Sequence, residues 1–223
     1  MHTIAGERRF FLRGPVGRLE AIVRPAGDES TAWAALLCHP HPLFGGTMEN
    51  KTLYRVAREL ASELEIPSLR FNFRGAGQSE GSHDAGVGEL EDTSAALDSL
   101  EQLYPAARIV AIGYSFGAAI GLKSANLDDR VACLVALGLP LDLEWSVDFF
   151  AKSPKPRIVI QGERDEFGDA ARVRAFVSRS TSGPGSPLQT HIVATADHLF
   201  RGHEDRAAGA VLDFVRNFVA MQD

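Results

Sequence analysis

The chain has 223 residues, 45% of them hydrophobic and 23% charged, and its 29 acidic and 23 basic residues leave a net charge of −6. This is an ordinary globular composition, and the length suits one domain, 1–223, with a single large core. No basic block or Arg/Lys stripe mixed with aromatics is present, which argues against nucleic acid. No apolar run of about 18 residues is present to span a membrane.

The segments are read in chain order. Residues 8–14 and 17–25 read as a strand hairpin around the "GPVG" turn. Residues 32–40 form a nearly continuous apolar run, as in a strand buried on both faces. Leu53, Val56, Ala57, Leu60, Ala61 and Leu64 recur at helical spacing, predicting a helix over 50–65. A strand over 66–75 follows, then a helix over 89–105 stopped at Pro105. A strand over 107–115 leads into a helix over 116–127. Strands over 130–141 and 156–165 come next, then a helix over 169–180, a strand to His198 and a closing helix over 206–220. Strands alternating with helices predict an α/β fold with a mainly parallel sheet covered on both faces. The opening hairpin adds an antiparallel edge. The N-terminus lacks the apolar core of a secretory signal, and Cys38 and Cys133 lie inside apolar runs. Both features point to buried free thiols in a reducing cytoplasm.

In such a sheet the working groups lie at the carboxyl ends of the strands. There the chain has Gly113-Tyr114-Ser115-Phe116-Gly117, a G-x-S-x-G pattern between a predicted strand and a predicted helix. The spacing has a physical cause: a serine on a turn this sharp needs small residues two positions away on either side. A nucleophilic serine needs a base, and the base needs an orienting acid. Asp165 ends a later predicted strand and His198 ends the last one. The order Ser115, Asp165, His198 is that of one fold among the several that carry such a triad. Rivals for the acid are Glu163, Asp169 and Asp142; the rival base is His203.

On these residues the chain resembles the serine hydrolases of the α/β-hydrolase fold over nearly its whole length. "GYSFG", "GERDEFG" and "ADHLF" carry the likeness, and "FNFRGAGQSEG" (71–81) is similar to the loop after that superfamily's fourth strand. "CHPHPLFGGTMENK" resembles a loop of small bacterial hydrolases loosely related to dienelactone hydrolases. Those enzymes use a cysteine where this chain has Ser115, so their specificity does not carry over. The resemblance implies about eight strands. Between 142 and 155 there is room for a helical turn or two and no cap domain, so a lidless site is expected. Trp145, Phe149 and Phe150 in that stretch are expected to pack there, and they are candidates for one apolar wall of the mouth.

Gly75 and Gly77 faintly suggest a dinucleotide loop, but Glu80 stands one place before the next glycine, so the G-x-G-x-x-G spacing fails. Arg74 and Ser79 are read as structural. The pair His39 and His41 looks at first like metal ligands, yet no Asp or His follows before Glu49. Acyl transfer instead needs N–H donors for the oxyanion. One is expected at Phe116, the residue after the nucleophile. Pro40 and Pro42 have no N–H, leaving His41, Leu43 and Phe44 in this loop. The superfamily's H-G-x-P pattern, laid on His39-Pro40-His41-Pro42, places the donor at His41 and makes His39 a structural residue beneath the loop.

The sequence therefore points to a cytoplasmic serine hydrolase acting on a small-molecule acyl substrate, with no metal or organic cofactor implied. Carboxylic esters are the expected substrates. Thioesters or small peptides are alternatives with the same chemistry, a perhydrolase-type side reaction is compatible with it, and a catalytically idle binding protein is the alternative of a different class.

Overall fold

The computed structural model describes residues 6–28, 30–180 and 188–222. Eight strands form one sheet: β1 (Arg8–Gly14), β2 (Gly17–Arg24), β3 (Trp33–Cys38), β4 (Ser68–Phe71), β5 (Arg108–Tyr114), β6 (Val131–Leu137), β7 (Arg157–Gly162) and β8 (Leu188–Val193). Their order is β1-β2-β4-β3-β5-β6-β7-β8. β2 runs antiparallel to both of its neighbours, and every pairing from β4 to β8 is parallel. The antiparallel edge expected from the opening hairpin is therefore present.

Strand alternation divides the core into two layers. On β3, Ala34, Leu36 and Cys38 face one layer, and Trp33, Ala35 and Leu37 the other. The second layer is closed by α1 (Lys51–Leu64) and α6 (Glu204–Ala220), and the first by α2 (Gly88–Leu103), α3 (Leu122–Ala125), α4 (Asp148–Lys152) and α5 (Ala170–Ser178). In α1, Leu53, Val56, Ala57 and Leu60 form the buried stripe. Asn50 caps it, accepting from the amides of Thr52 (3.0 Å) and Leu53 (3.2 Å). Among the described residues no helix is long and apolar enough to cross a membrane.

Several predicted bounds change. The expected helix over 116–127 begins as a π-helical turn, Gly117–Gly121, and only its last part is α-helix. The strand expected over 66–75 keeps its ladder only to Phe71, because the chain then leaves the sheet in turns that bring Arg74 to Asp92. The last strand stops at Val193 rather than His198. Residues 194–198 are a loop whose Ala196 is fully buried, so burial there mimicked a strand. Between 142 and 155 stands only the five-residue α4.

Candidate functional site

Ser115 follows β5 with φ of 52°, left-handed backbone that a non-glycine residue adopts only under constraint. Its amide donates to Leu137 O at 2.9 Å, and its carbonyl accepts from the amides of Ala118 (2.9 Å) and Ala119 (3.0 Å). The flanking glycines are forced by crowding. A Cβ on Gly113 would lie 2.6 Å from the carbonyl carbon of Gly117 and 2.7 Å from Ala118 Cα. One on Gly117 would lie 2.6 Å from the carbonyl carbon of Cys38 and 2.8 Å from His39 O. The turn is thus pressed against the end of β3, and Gly117 N–H donates to His39 O at 3.1 Å.

The three residues singled out in the sequence meet here. His198 Nε2 lies 2.8 Å from Ser115 Oγ, and His198 Nδ1 lies 2.8 Å from Asp165 Oδ2. With Nδ1 facing a carboxylate, the neutral ring carries its proton there, and Nε2 is left to accept from the serine hydroxyl. All three are nearly closed off from solvent, with exposures of 6% for Ser115, 2% for Asp165 and 4% for His198. Asp165 and His198 lie in loops three and five residues beyond their strands rather than at the strand ends. Phe167 stands edge-on to the His198 ring at 4.8 Å. Tyr114, the residue before the serine, donates its hydroxyl to His198 O at 2.8 Å.

Gln161 was not recognisable from the sequence. It is fully buried on β7, and its Nε2 donates to Asp165 Oδ2 (2.8 Å) and Gly168 O (2.8 Å) while its Oε1 accepts from Leu139 N (2.9 Å). With Phe167 N–H on Oδ1 at 2.9 Å, this fixes the carboxylate facing His198. The one signal was a polar residue at the end of the apolar run "RIVIQG".

The rival residues are engaged elsewhere. Glu163 accepts from Thr195 N (2.7 Å), Asp169 caps α5 by accepting from Arg172 N (3.0 Å), and Asp142 pairs with Arg172. His203 sits at the N-cap position of α6, near Thr195 Oγ1 (3.2 Å). Arg74 chelates the buried carboxylate of Asp92 through Nε and Nη2 (3.0 and 2.8 Å), and Ser79 Oγ bridges Asn72 O (2.7 Å) and Glu20 N (2.9 Å).

The histidine–proline loop lies beside the serine turn. His39 is fully buried; its Nε2 accepts from Phe73 N–H at 3.0 Å, which leaves the proton on Nδ1, 2.5 Å from Pro40 O. Burial pushes its pKa down to about 4. Of the three candidate donors, Leu43 N–H is taken by His41 Nδ1 (3.2 Å) and Phe44 N–H by His41 O (3.1 Å). Among the described residues the amides of His41 and Phe116 have no hydrogen-bond partner. The His41 ring packs at 4.8 Å from Phe44, 5.0 Å from Phe116 and 5.2 Å from Trp145. Burial, and then His83, hold its pKa below the usual histidine range, against the pull of Glu89 and Glu144. Trp145, Phe149 and Phe150 all pack on the core as expected, Phe150 wholly buried, and of the three mouth candidates Trp145 stands beside His41. No group of three or more metal-ligating side chains is gathered among the described residues.

A family profile described as an alpha/beta hydrolase domain matches residues 35–214. An uncharacterized protein of Rickettsia prowazekii is 34% identical over 211 residues, spanning 93% of this chain and 88% of its own. An alpha-beta serine hydrolase homologue from Coxiella burnetii, of solved structure, is 34% identical, covers 97% of this chain and 99% of its own, and superposes with a TM-score of 0.83. A serine hydrolase from Xanthomonas campestris, described as without a lid, is 29% identical with a TM-score of 0.81, covering 98% of this chain and 97% of its own.

Proposed function

The chain belongs to the alpha/beta hydrolase family, and we propose that within it the protein is a serine hydrolase cleaving small carboxylic esters. The observation that carries this reading is the unbroken relay from Asp165 Oδ2 through His198 to Ser115 Oγ, both links at 2.8 Å, ending on a strained serine.

In this mechanism Ser115 Oγ attacks the acyl carbon while its proton passes to His198 Nε2. Asp165 holds the imidazolium through Nδ1–H. The carbonyl electrons move to oxygen, where the amides of His41 and Phe116 receive the charge. As the tetrahedral centre collapses, the bond to the alkoxy oxygen breaks and His198 returns the proton to the leaving alcohol. Water then attacks the acyl-enzyme by the same route, releasing the acid and restoring the Ser115 hydroxyl. The resting tautomer set by the Asp165 contact is the one the first step needs.

The test has two parts. A fluorophosphonate probe is expected to label the wild type at Ser115 and not Ser115→Ala. A panel of p-nitrophenyl esters is expected to be hydrolysed by the wild type alone. An unlabelled, inactive wild type would overturn the proposal in favour of an idle binding protein.

A further inference from the structure

We infer that His83, held beside the buried carboxylate of Glu89, is a positioning residue for the oxyanion donors; this rests on the roles proposed above for His41 and Phe116. His83 lies in the irregular segment between β4 and α2, and that segment is gathered onto one group. Glu89, in the first turn of α2, has no exposed surface. Its Oε1 accepts from Asp84 N (2.8 Å), its Oε2 accepts from Gly86 N (2.9 Å), and His83 Nδ1 lies 2.8 Å from Oε1. A carboxylate taken out of water costs several kcal/mol unless its lone pairs are filled. Here all of the filling comes from one loop, so the carboxylate fixes that loop's shape.

The fixed shape holds the His83 ring 4.8 Å from that of His41 and 5.6 Å from that of Phe116. One imidazole thus braces the side chains of both residues whose amides would hold the oxyanion. The prolines on either side of His41 set φ at 40 and 42, and Pro42 biases residue 41 toward the extended backbone it adopts (φ −54°, ψ 123°), but neither ring fixes the φ of residue 41 itself. Packing its ring against Phe116 and His83, which also touch each other, narrows that freedom. Of the other neighbours, Phe44 is 87% exposed, whereas Trp145, 5.2 Å from His41 and 5.1 Å from Phe116, shares the bracing. Bracing of this kind serves the transition state, because the amides matter only once charge develops on the oxygen.

Steady-state hydrolysis of p-nitrophenyl acetate, with inhibition by an alkyl trifluoromethyl ketone, tests this. Ser115 Oγ adds to the ketone's carbonyl carbon while its proton passes to His198 Nε2, and the carbonyl π pair moves to oxygen, giving an oxyanion in the same position. His83→Ala is expected to lower kcat about tenfold, to leave KM within twofold, and to raise the ketone Ki about tenfold. His83→Phe, which keeps a ring, is expected to recover kcat to within about threefold of wild type. His83→Gln, which keeps a polar side chain beside Glu89 but no ring, is expected to behave like the alanine variant. Should the alanine variant not fold, the phenylalanine and glutamine pair decides. Wild-type kcat in His83→Ala or His83→Gln, an effect on KM with an unchanged ketone Ki, or rescue by Gln and not by Phe would overturn the inference. An inert wild type would instead remove the reading on which it rests.

Discussion

Replacing Gly117 with alanine adds one carbon where the serine turn meets the end of β3. Gly117 is not among the glycines with positive φ, so its backbone accepts alanine, and the effect is one of space alone. The new Cβ would sit 2.6 Å from the Cys38 carbonyl carbon and 2.8 Å from His39 O, where ordinary contact is about 3.5 Å. The turn must therefore withdraw from β3 by about 1 Å. The Gly117 N–H bond to His39 O, now 3.1 Å, then reaches about 4 Å and is lost. Phe116 moves with the turn and His41 stays with β3, so the two donors separate by a similar amount. One of them then falls out of hydrogen-bond range of a common oxyanion. Loss of one such donor costs on the order of 10² to 10³ in kcat, about 3 to 4 kcal/mol, with little change in KM. The crowding itself should cost about 1 to 3 kcal/mol of stability. Steady-state kinetics with p-nitrophenyl acetate beside thermal melts would read both. Gly209→Ala is the control: it lies in α6 with nothing within 4 Å of its Cβ, and it should stabilise by about 0.5 to 1 kcal/mol. A Gly117→Ala enzyme with kcat within threefold of wild type would refute the argument that the glycine exists to bring the two amides together.

Asp165→Asn should lower kcat by about 10⁴, because an amide there favours the wrong imidazole tautomer, while Asp142→Asn should leave activity within twofold; the reverse pattern would reassign the acid. His41→Pro should lose on the order of 10² to 10³ in kcat by deleting the N–H, whereas His41→Ala, which loses the ring packing and the bond from Leu43 N–H, should lose about tenfold; equal losses would mean that the imidazole itself reacts. For His39, the folded-state pKa of about 4 lies below the ordinary histidine value of 6.5, so between these values the unfolded chain holds the extra proton. Stability from this group is fully present above about 6.5 and falls as pH drops toward 4, by about 3 kcal/mol in total. Urea melts across that range should show the slope, and it should vanish in His39→Gln.

What was legible in the sequence had a backbone cause that only a few residue types satisfy. The glycines at 113 and 117 are dictated by approaching main chain, so the serine turn could be read from spacing alone. The order Ser115, Asp165, His198 was readable because each follows an apolar run. The exact ends of those runs were not: Ala196 is as buried as any strand residue but makes no ladder, and the π-helical turn at 117–121 has no periodicity of its own in so short a stretch. Glu89, Asp92 and Gln161 escaped notice for a different reason. Each is an ordinary polar residue within a predicted element, and only the partners on adjoining loops, Asp84, Arg74 and Asp165, reveal what it holds. The Leu43 alternative for the second donor could not be dismissed without seeing its amide occupied by His41.

The hydroxyl of Tyr114 on the carbonyl of His198 has a mechanical consequence. The base stands on a loop and the nucleophile at the end of a central strand, so thermal motion of loop against sheet would ordinarily blur the distance between them. Here the strand residue that carries the serine also tethers the main chain that carries the histidine. A displacement of one drags the other in the same direction. The short proton path is thus insulated from breathing of the surrounding frame, and its length should hold on warming until that tether itself gives way.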